Sequence, residues 1–207
     1  HWGDAEGLEI AGKSAYVVFE RLNRINIYPI KADLTPGKPK QATASFKPFK
    51  VSYSEGLEAL ALAPKASPLA GKFIAIAEES LNAKGQNRAF IADAKTITEF
   101  AIARDSDYSV TDATFLPDGD LLILERRVGL SVGVGTRIRR IKSAAIKKGA
   151  ELTGETLMEA SLSSRIDNME GITTWQTSTG ETRIAIMSDD NFNVIQRTLL
   201  LEFRLND

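Results

Sequence analysis

The chain has 207 residues, of which 43% are hydrophobic and 26% charged, and its formal net charge is −1. That supplies apolar surface for a sizeable core, while the near-neutral balance gives no electrostatic reason for a nucleic-acid partner or an anionic membrane surface. The absence of cysteine excludes disulfides and thiolate-bound metals, and no apolar run approaches the roughly 20 residues needed to span a bilayer.

In chain order the apolar runs are short: AYVVFE, RINIYPI, KFIAIAEE, RAFIADA, DLLILERR, TRIRRIK, TRIAIMSDD and RTLLLEFRL. Each has the length of a strand, and several are rich in Val, Ile and aromatics, which suit a pleated, partly buried surface. AGKS, TPGKPK, APKASPLAGK, LPDGD and TSTGE punctuate them as turns. Helix is expected only around residues 143–148, with Gly149 as the stop, and at 82–86. The fold class is all-β.

A repeat underlies this order. EGLEI starts at Glu6, EGLEALAL at Glu55, DATFL at Asp112 and EGITTW at Glu170. Each start leads through a turn to an apolar strand ending in acid: VVFE at Glu20, IAIAEE at Glu78, LLILE at Glu125 and IAIMSDD at Asp189. A third strand follows each time. In the first three units a less regular fourth segment follows it: KQATASF, TEFAI and ETLMEAS. Units of about four strands predict the blades of a β-propeller, at residues 5–50, 51–107, 108–165 and 166–207, within a single domain. A β-sandwich with coincidental Glu-Gly pairs is the plainer alternative. Four blades would be a fragment of a larger propeller. The abrupt opening HWGDAEGLEI fits a cut or processed protein, so further blades and the closing strand are expected to be encoded before His1.

In such a blade, the start of the innermost strand and the end of the second lie at one edge. Glu6, Glu20, Glu55, Glu78, Asp112, Glu125, Glu170 and Asp189 would then gather at one mouth of the channel. Crowded carboxylates raise one another's pKa unless a cation or Arg compensates, and Ca²⁺ is the hard cation that such oxygen ligands suit. The bland alternative pairs these acids with Arg or with backbone N–H groups of the next blade.

Arg21, Arg126 and Arg127 directly follow Glu20 and Glu125, as partners of those acids or as clamps for an anionic substrate. The alternating TRIRRI reads as an outer strand with Arg137, Arg139 and Arg140 solvated. Asp189, Asn191 and Asn193 have the alternate-oxygen spacing that opens a calcium loop, as do Asp105, Asp107 and Ser109. Val194 and Val110 stand where an EF-hand needs Gly, so neither is one. The first set belongs to the acidic mouth, and the second reads as an ordinary turn. GLSVGVG leads to a strand rather than a helix, so it is a flexible connection, not a phosphate cradle, and nothing calls for an organic cofactor. Trp2, Trp175 and Tyr108 line a pocket or pack between blades. The single histidine is His1 and no G-x-S-x-G elbow occurs, which leaves metal-activated water or a carboxylate base for any hydrolysis.

YSVTDATFLPDGDLLILERR (108–127), GVGTRIRRI (133–141), IDNMEGI with SDDNF and QRTLLLEF (166–203), and EGLEALALAP (55–64) together resemble the phytase-like family described as having esterase-like activity of phytase. The resemblance runs over residues 5–205. It implies a β-propeller, export from a bacterium through a signal peptide to the periplasm or beyond, and kinship in name with six-bladed calcium-dependent phytases. The N-terminal portion expected of the family is absent from this sequence, and no run matches the dense acidic calcium cluster of propeller phytases. Three functions are therefore carried forward. The first is a metal-dependent hydrolase of a phosphoester or related ester, with a small-molecule anionic or ester substrate as its partner. The second is a non-catalytic propeller binding a ligand or protein at the mouth. The third is a calcium-dependent lactone or ester hydrolase.

Overall fold

The computed structural model describes residues 4–54, 56–105, 107–129 and 133–206. The strands form antiparallel sheets in chain order. The first sheet is β1 (Ala5–Ala11), β2 (Ser14–Phe19), β3 (Arg24–Pro29) and β4 (Lys40–Gln41). The second is β5 (Leu57–Leu62), β6 (Phe73–Leu81), β7 (Asn87–Ala92) and β8 (Ile97–Ile102). The third has β9 (Ser109–Phe115), β10 (Leu121–Gly129) and β11 (Gly133–Ile141). The chain then lends β12 (Glu151–Leu152), in parallel, to the outer edge of β8 before β13 (Glu155–Ser161) completes the third sheet. The fourth sheet is β14 (Met169–Gln176), β15 (Thr182–Ser188) and β16 (Leu200–Arg204).

The first strands pack side by side, β5 on β1, β9 on β5 and β14 on β9. This is a four-bladed β-propeller arrangement with those strands innermost. The third and fourth strands fall where the repeat places them, except that Glu151 and Leu152 extend the second blade rather than the third.

The period-two geometry of a strand explains the unbroken apolar runs. Along β6, Ile74 and Ile76 enter the core shared with the third blade, beside Val110, Leu121 and Ile123. Phe73 and Ala75 enter the core shared with the first, beside Val18 and Ile25. A third core joins Leu122, Leu124 and Ile138 to Met169, Ile184 and Ile186 of the fourth blade. A blade flanked on both sides needs apolar residues on both faces, so alternation disappears.

The two expected helices are not helices. At 143–148 only a 3-10 turn, Ser143–Ala145, forms. Asp120 Oδ1 accepts the Ser143 N–H at 3.1 Å, and Ile146 drops into the core with extended backbone. Residues 82–86 make the β6–β7 turn, closed by Asn82 Oδ1 accepting the Lys84 and Gln86 N–H groups. GLSVGVG is the tip of the β10–β11 hairpin, with Gly129 opposite Gly133 and residues 130–132 outside the described set. Among the described residues no helix is long and apolar enough to cross a membrane.

Candidate functional site

Three inner strands carry the same irregularity. Pairing with the second strand slips between Ala5 and Gly7, between Leu57 and Ala59, and between Met169 and Gly171. The extra residue is a glutamate each time: Glu6, Glu58 and Glu170. A bulge re-aims its side chain and bends the strand, and here it brings acids from three blades to one mouth. In β9 the slip falls at Thr111, whose hydroxyl donates to the Met169 carbonyl at 3.1 Å.

Asp4, Glu6 and Glu20 each offer an oxygen, all within 4.8 Å of one another. Burial, followed by the fields of Asp4, Glu20, Glu170 and Glu78, pushes Glu6 up to about 6. Glu58 is pushed to about 9 by burial and then by Glu78, Glu6, Glu170 and Glu20. Glu78 and Glu170 are also raised by burial, against the lowering field of Arg126. Positive charge is scarce at this mouth. Arg126 Nη1 donates to Glu170 Oε1 and Asn168 Oδ1, both at 2.6 Å, and its Nη2 lies 3.5 Å from Glu78. Arg21 pairs with Asp4 at 2.6 Å rather than with its neighbour Glu20.

Other acids staple the blades. Glu20 Oε1 accepts the Gly56 N–H at 3.2 Å, and Glu9 Oε1 accepts the Leu62 N–H at 3.3 Å. Asp112 Oδ2 accepts the Ile172 N–H at 2.9 Å and Oδ1 the Ala113 N–H at 2.8 Å, with Leu60 N–H as a further donor. Burial holds Glu9 near 7 and Asp112 near 8. The bland expectation of carboxylates bonded to the next blade's backbone therefore coexists with the acidic mouth.

The sequence-predicted residues divide accordingly. Glu6, Glu20, Glu78 and Glu170 converge. Asp112 and Asp189 line a channel cavity of about 430 Å³ together with Glu6 and Glu170. Asp189 Oδ1 accepts the Asn191 N–H at 2.9 Å, and Asp190 and Asn193 make the same local turns with Phe192 and Ile195. Asp105 ends in a turn with Tyr108, as expected, and its carboxylate takes Arg137. Glu55 and Trp2 lie outside the described residues. Glu58 and Asp4 are mouth acids that the sequence reading missed.

Glu125 does not reach the mouth. It is 0% exposed, opposite Arg137 in the β10–β11 pairing. Oε2 accepts Arg137 Nε and Arg139 Nε, both at 2.8 Å, and Oε1 accepts Arg139 Nη2 at 2.5 Å. This corrects the reading of Arg137 and Arg139 as solvated: β13 covers their strand, and Glu125 and Asp105 balance the two guanidiniums. Tyr108 is buried beneath Arg137, 4.0 Å from the ring centroid, and donates to Glu159. Arg140 pairs with Asp118 and Asp120.

Arg126 and Arg127 both line a second recess of about 490 Å³, together with Glu78, Glu79, Arg104 and Asn168. Arg104 is committed to Glu79 through two hydrogen bonds. Arg127 Nε is buried without a hydrogen-bond partner among the described residues. Its Nη1 lies 3.8 Å from Glu159, and its guanidinium is 5.2 Å from the Tyr108 ring centroid.

The family model "Phytase-like: Esterase-like activity of phytase" matches residues 1–192. No curated protein matches the chain. Among solved structures, the α-L-arabinanase of Cellvibrio cellulosa complexed with arabinohexaose superposes with a TM-score of 0.50 at 10% identity, covering 95% of this chain and 72% of that one. An exo-1,5-α-L-arabinanase from a bovine ruminal metagenomic library gives 0.52 at 14%, covering 96% and 72%. At these identities the likeness is one of fold.

Proposed function

Because the chain belongs to the phytase-like family described as esterase-like activity of phytase, we propose that it is the catalytic propeller of an exported bacterial hydrolase. Its substrate class is a small phosphoester or related anionic ester, and its mouth holds a divalent cation, Ca²⁺ by preference. One observation carries the reading: Asp4, Glu6 and Glu20 present oxygens within 4.8 Å of one another, ringed by Glu58, Glu78 and Glu170 with raised pKa values. Hard oxygen donors with excess negative charge are the ligand set for a cation of this kind. Asp4, Glu6 and Glu20 would hold the cation, which would supply Lewis-acid polarisation of a substrate oxygen and a lowered pKa for a bound water.

The chain's own residues divide the remaining work. Glu6, raised to about 6 by burial and its acidic neighbours, would give up its proton to bind a cation there. Glu58, raised to about 9, holds its proton at neutral pH, and a cation beside it would favour release of that proton. Arg126 and Arg127 border the adjoining recess, where a substrate anion would share their guanidinium groups with Glu170, Glu78 and Glu159. The test is calorimetric titration with Ca²⁺, then a phosphoester and ester screen with and without chelator. Binding with chelator-sensitive turnover supports the reading, whereas no binding sinks it.

A second reading, a ligand-binding propeller without turnover, draws on the Gly56 and Ile172 N–H bonds to Glu20 and Asp112, which give those acids structural work. Ca²⁺ binding with no turnover in the screen favours it.

A further inference from the structure

The β2–β3 turn and the segment entering the second blade enclose a recess of about 460 Å³ at the mouth end of the first two blades. Leu22, Phe46, Val51 and Tyr53 form its apolar walls, and Lys47 and Lys50 stand among them. It shares no lining residue with the cavities at the acidic mouth. Its size lies within the range of small-molecule pockets, about 300–1,000 Å³.

Three features set it apart from an ordinary surface dent. Leu22 is 49% exposed and Tyr53 55% exposed, so two large apolar side chains are held in water around one hollow. Among the described residues, neither lysine ammonium has an acid or carbonyl partner. The backbone is also costly here. Leu22 and Lys50 adopt left-handed conformations, at φ 64° and 50°. Gly or Asn is the usual occupant of such turn and cap positions, because a side chain beyond Cβ is strained there. Leu22 and Lys50 instead put an apolar wall and a positive charge on the same recess. Strain kept at a ligand clamp is a recurring pattern.

The recess is also pre-organised. Asn23, between its two sides, accepts the Leu57 N–H at 3.0 Å and donates to the Ser52 carbonyl at 2.8 Å. That pins the turn to the segment entering β5.

We propose that this recess binds a small amphipathic organic anion, its acyl or aryl body against Leu22, Phe46, Val51 and Tyr53 and its anionic head between Lys47 and Lys50. The apolar walls recognise the body, and the two ammonium groups select against a neutral analogue.

The experiment titrates the whole chain with octanoate and with octanol by calorimetry, in parallel with the Leu22→Gly and Lys50→Gly variants. Glycine relieves the left-handed strain, so both variants keep or raise the melting temperature, and loss of binding is then not loss of fold. Saturable octanoate binding is expected, weakened about tenfold in each variant and about tenfold weaker for octanol. Absence of saturable octanoate binding overturns the proposal. So does equal binding by octanol, or unchanged binding in both variants. A concentration-dependent dimer that Leu22→Gly dissolves assigns the recess to a second copy of the chain and also overturns it.

Discussion

Arg126 Nη1 sits 2.6 Å from Glu170 Oε1 and joins the third blade to the fourth at the channel mouth. The same guanidinium faces Glu78 of the second blade at 3.5 Å. One side chain therefore compensates acids from two other blades, while Glu6 and Glu58 stay raised by burial and by their acidic neighbours.

Arg126→Met leaves Glu78 and Glu170 facing each other without that charge. Arg126 and Glu170 are each more than a quarter exposed, so solvent screening limits the loss to about 1–2 kcal/mol at pH 8 without cation. The loss shrinks at pH 4, below the ordinary Glu value of 4.5, where these raised carboxyls carry their protons and no longer need the charge. Urea denaturation at the two pH values checks this, and an equal loss at both contradicts it.

Stability should fall with pH in the presence of chelator. Glu58, Asp112, Glu9 and Glu6 have folded pKa values raised to about 9, 8, 7 and 6. Between its ordinary value and its raised one, each keeps its proton when folded and loses it when unfolded. Their contribution is thus complete below about pH 4 and is lost as pH rises through each folded value. The melting temperature falls from pH 5 to pH 9, and Ca²⁺ restores it more at pH 8 than at pH 5. Glu58→Gln flattens the upper part of the slope. A melting temperature that climbs over this range in chelator contradicts the assignment.

Glu125→Ala strands Arg137 and Arg139 in the third blade, with Asp105 the one acid left to oppose them among the described residues. Removing one partner from a buried charge cluster costs about 3–5 kcal/mol. Chemical denaturation measures it. Arg139→Met tests the same cluster from the other side and is also destabilising. Glu125→Gln, titrated while folded, keeps its Ca²⁺ affinity, because this acid lies outside the mouth.

Gly56→Ala tests the blade staple. A Cβ there would lie 2.5 Å from Asn23 Oδ1, 2.8 Å from the Glu20 carbonyl and 2.9 Å from that of Ser52. Two of these are backbone atoms, so the strand entry must shift, at about 1–3 kcal/mol. The Gly56 N–H moves off Glu20 with it, so Ca²⁺ affinity falls alongside stability. Calorimetry on the folded variant reads the second effect separately.

Much of the mouth was legible because the chain repeats itself. Glu20 and Asp189 directly follow second strands, Glu78 lies within one, and Glu6 and Glu170 stand second in first strands. The second blade misled. EGLEAL carries two glutamates, and alignment on the Glu-Gly pair selects Glu55. The structural equivalent of Glu6 and Glu170 is Glu58, because the strand slips there. In the third blade the slip falls one residue before Asp112, which turns that acid into a staple for Leu60 and Ile172. Glu125 misled for another reason. Its position matched the other acid-ended strands, but β11 brings two arginines to its face of the sheet, and the pairing buries all three.

The sequence by itself determined the all-β class, the four blades, the turns between strands and the acid at each inner edge. These follow from strand periodicity, turn chemistry and repetition, which are local. Tertiary structure decided which acids share a mouth, which are neutralised by Arg126, Arg137 and Arg139, and where Leu22 and Lys50 meet across a recess. Those outcomes depend on a one-residue slip in strand pairing and on which blades pack together. A slip of one residue moves a side chain from one face of a sheet to the other, and its energy is set by partners distant in the chain.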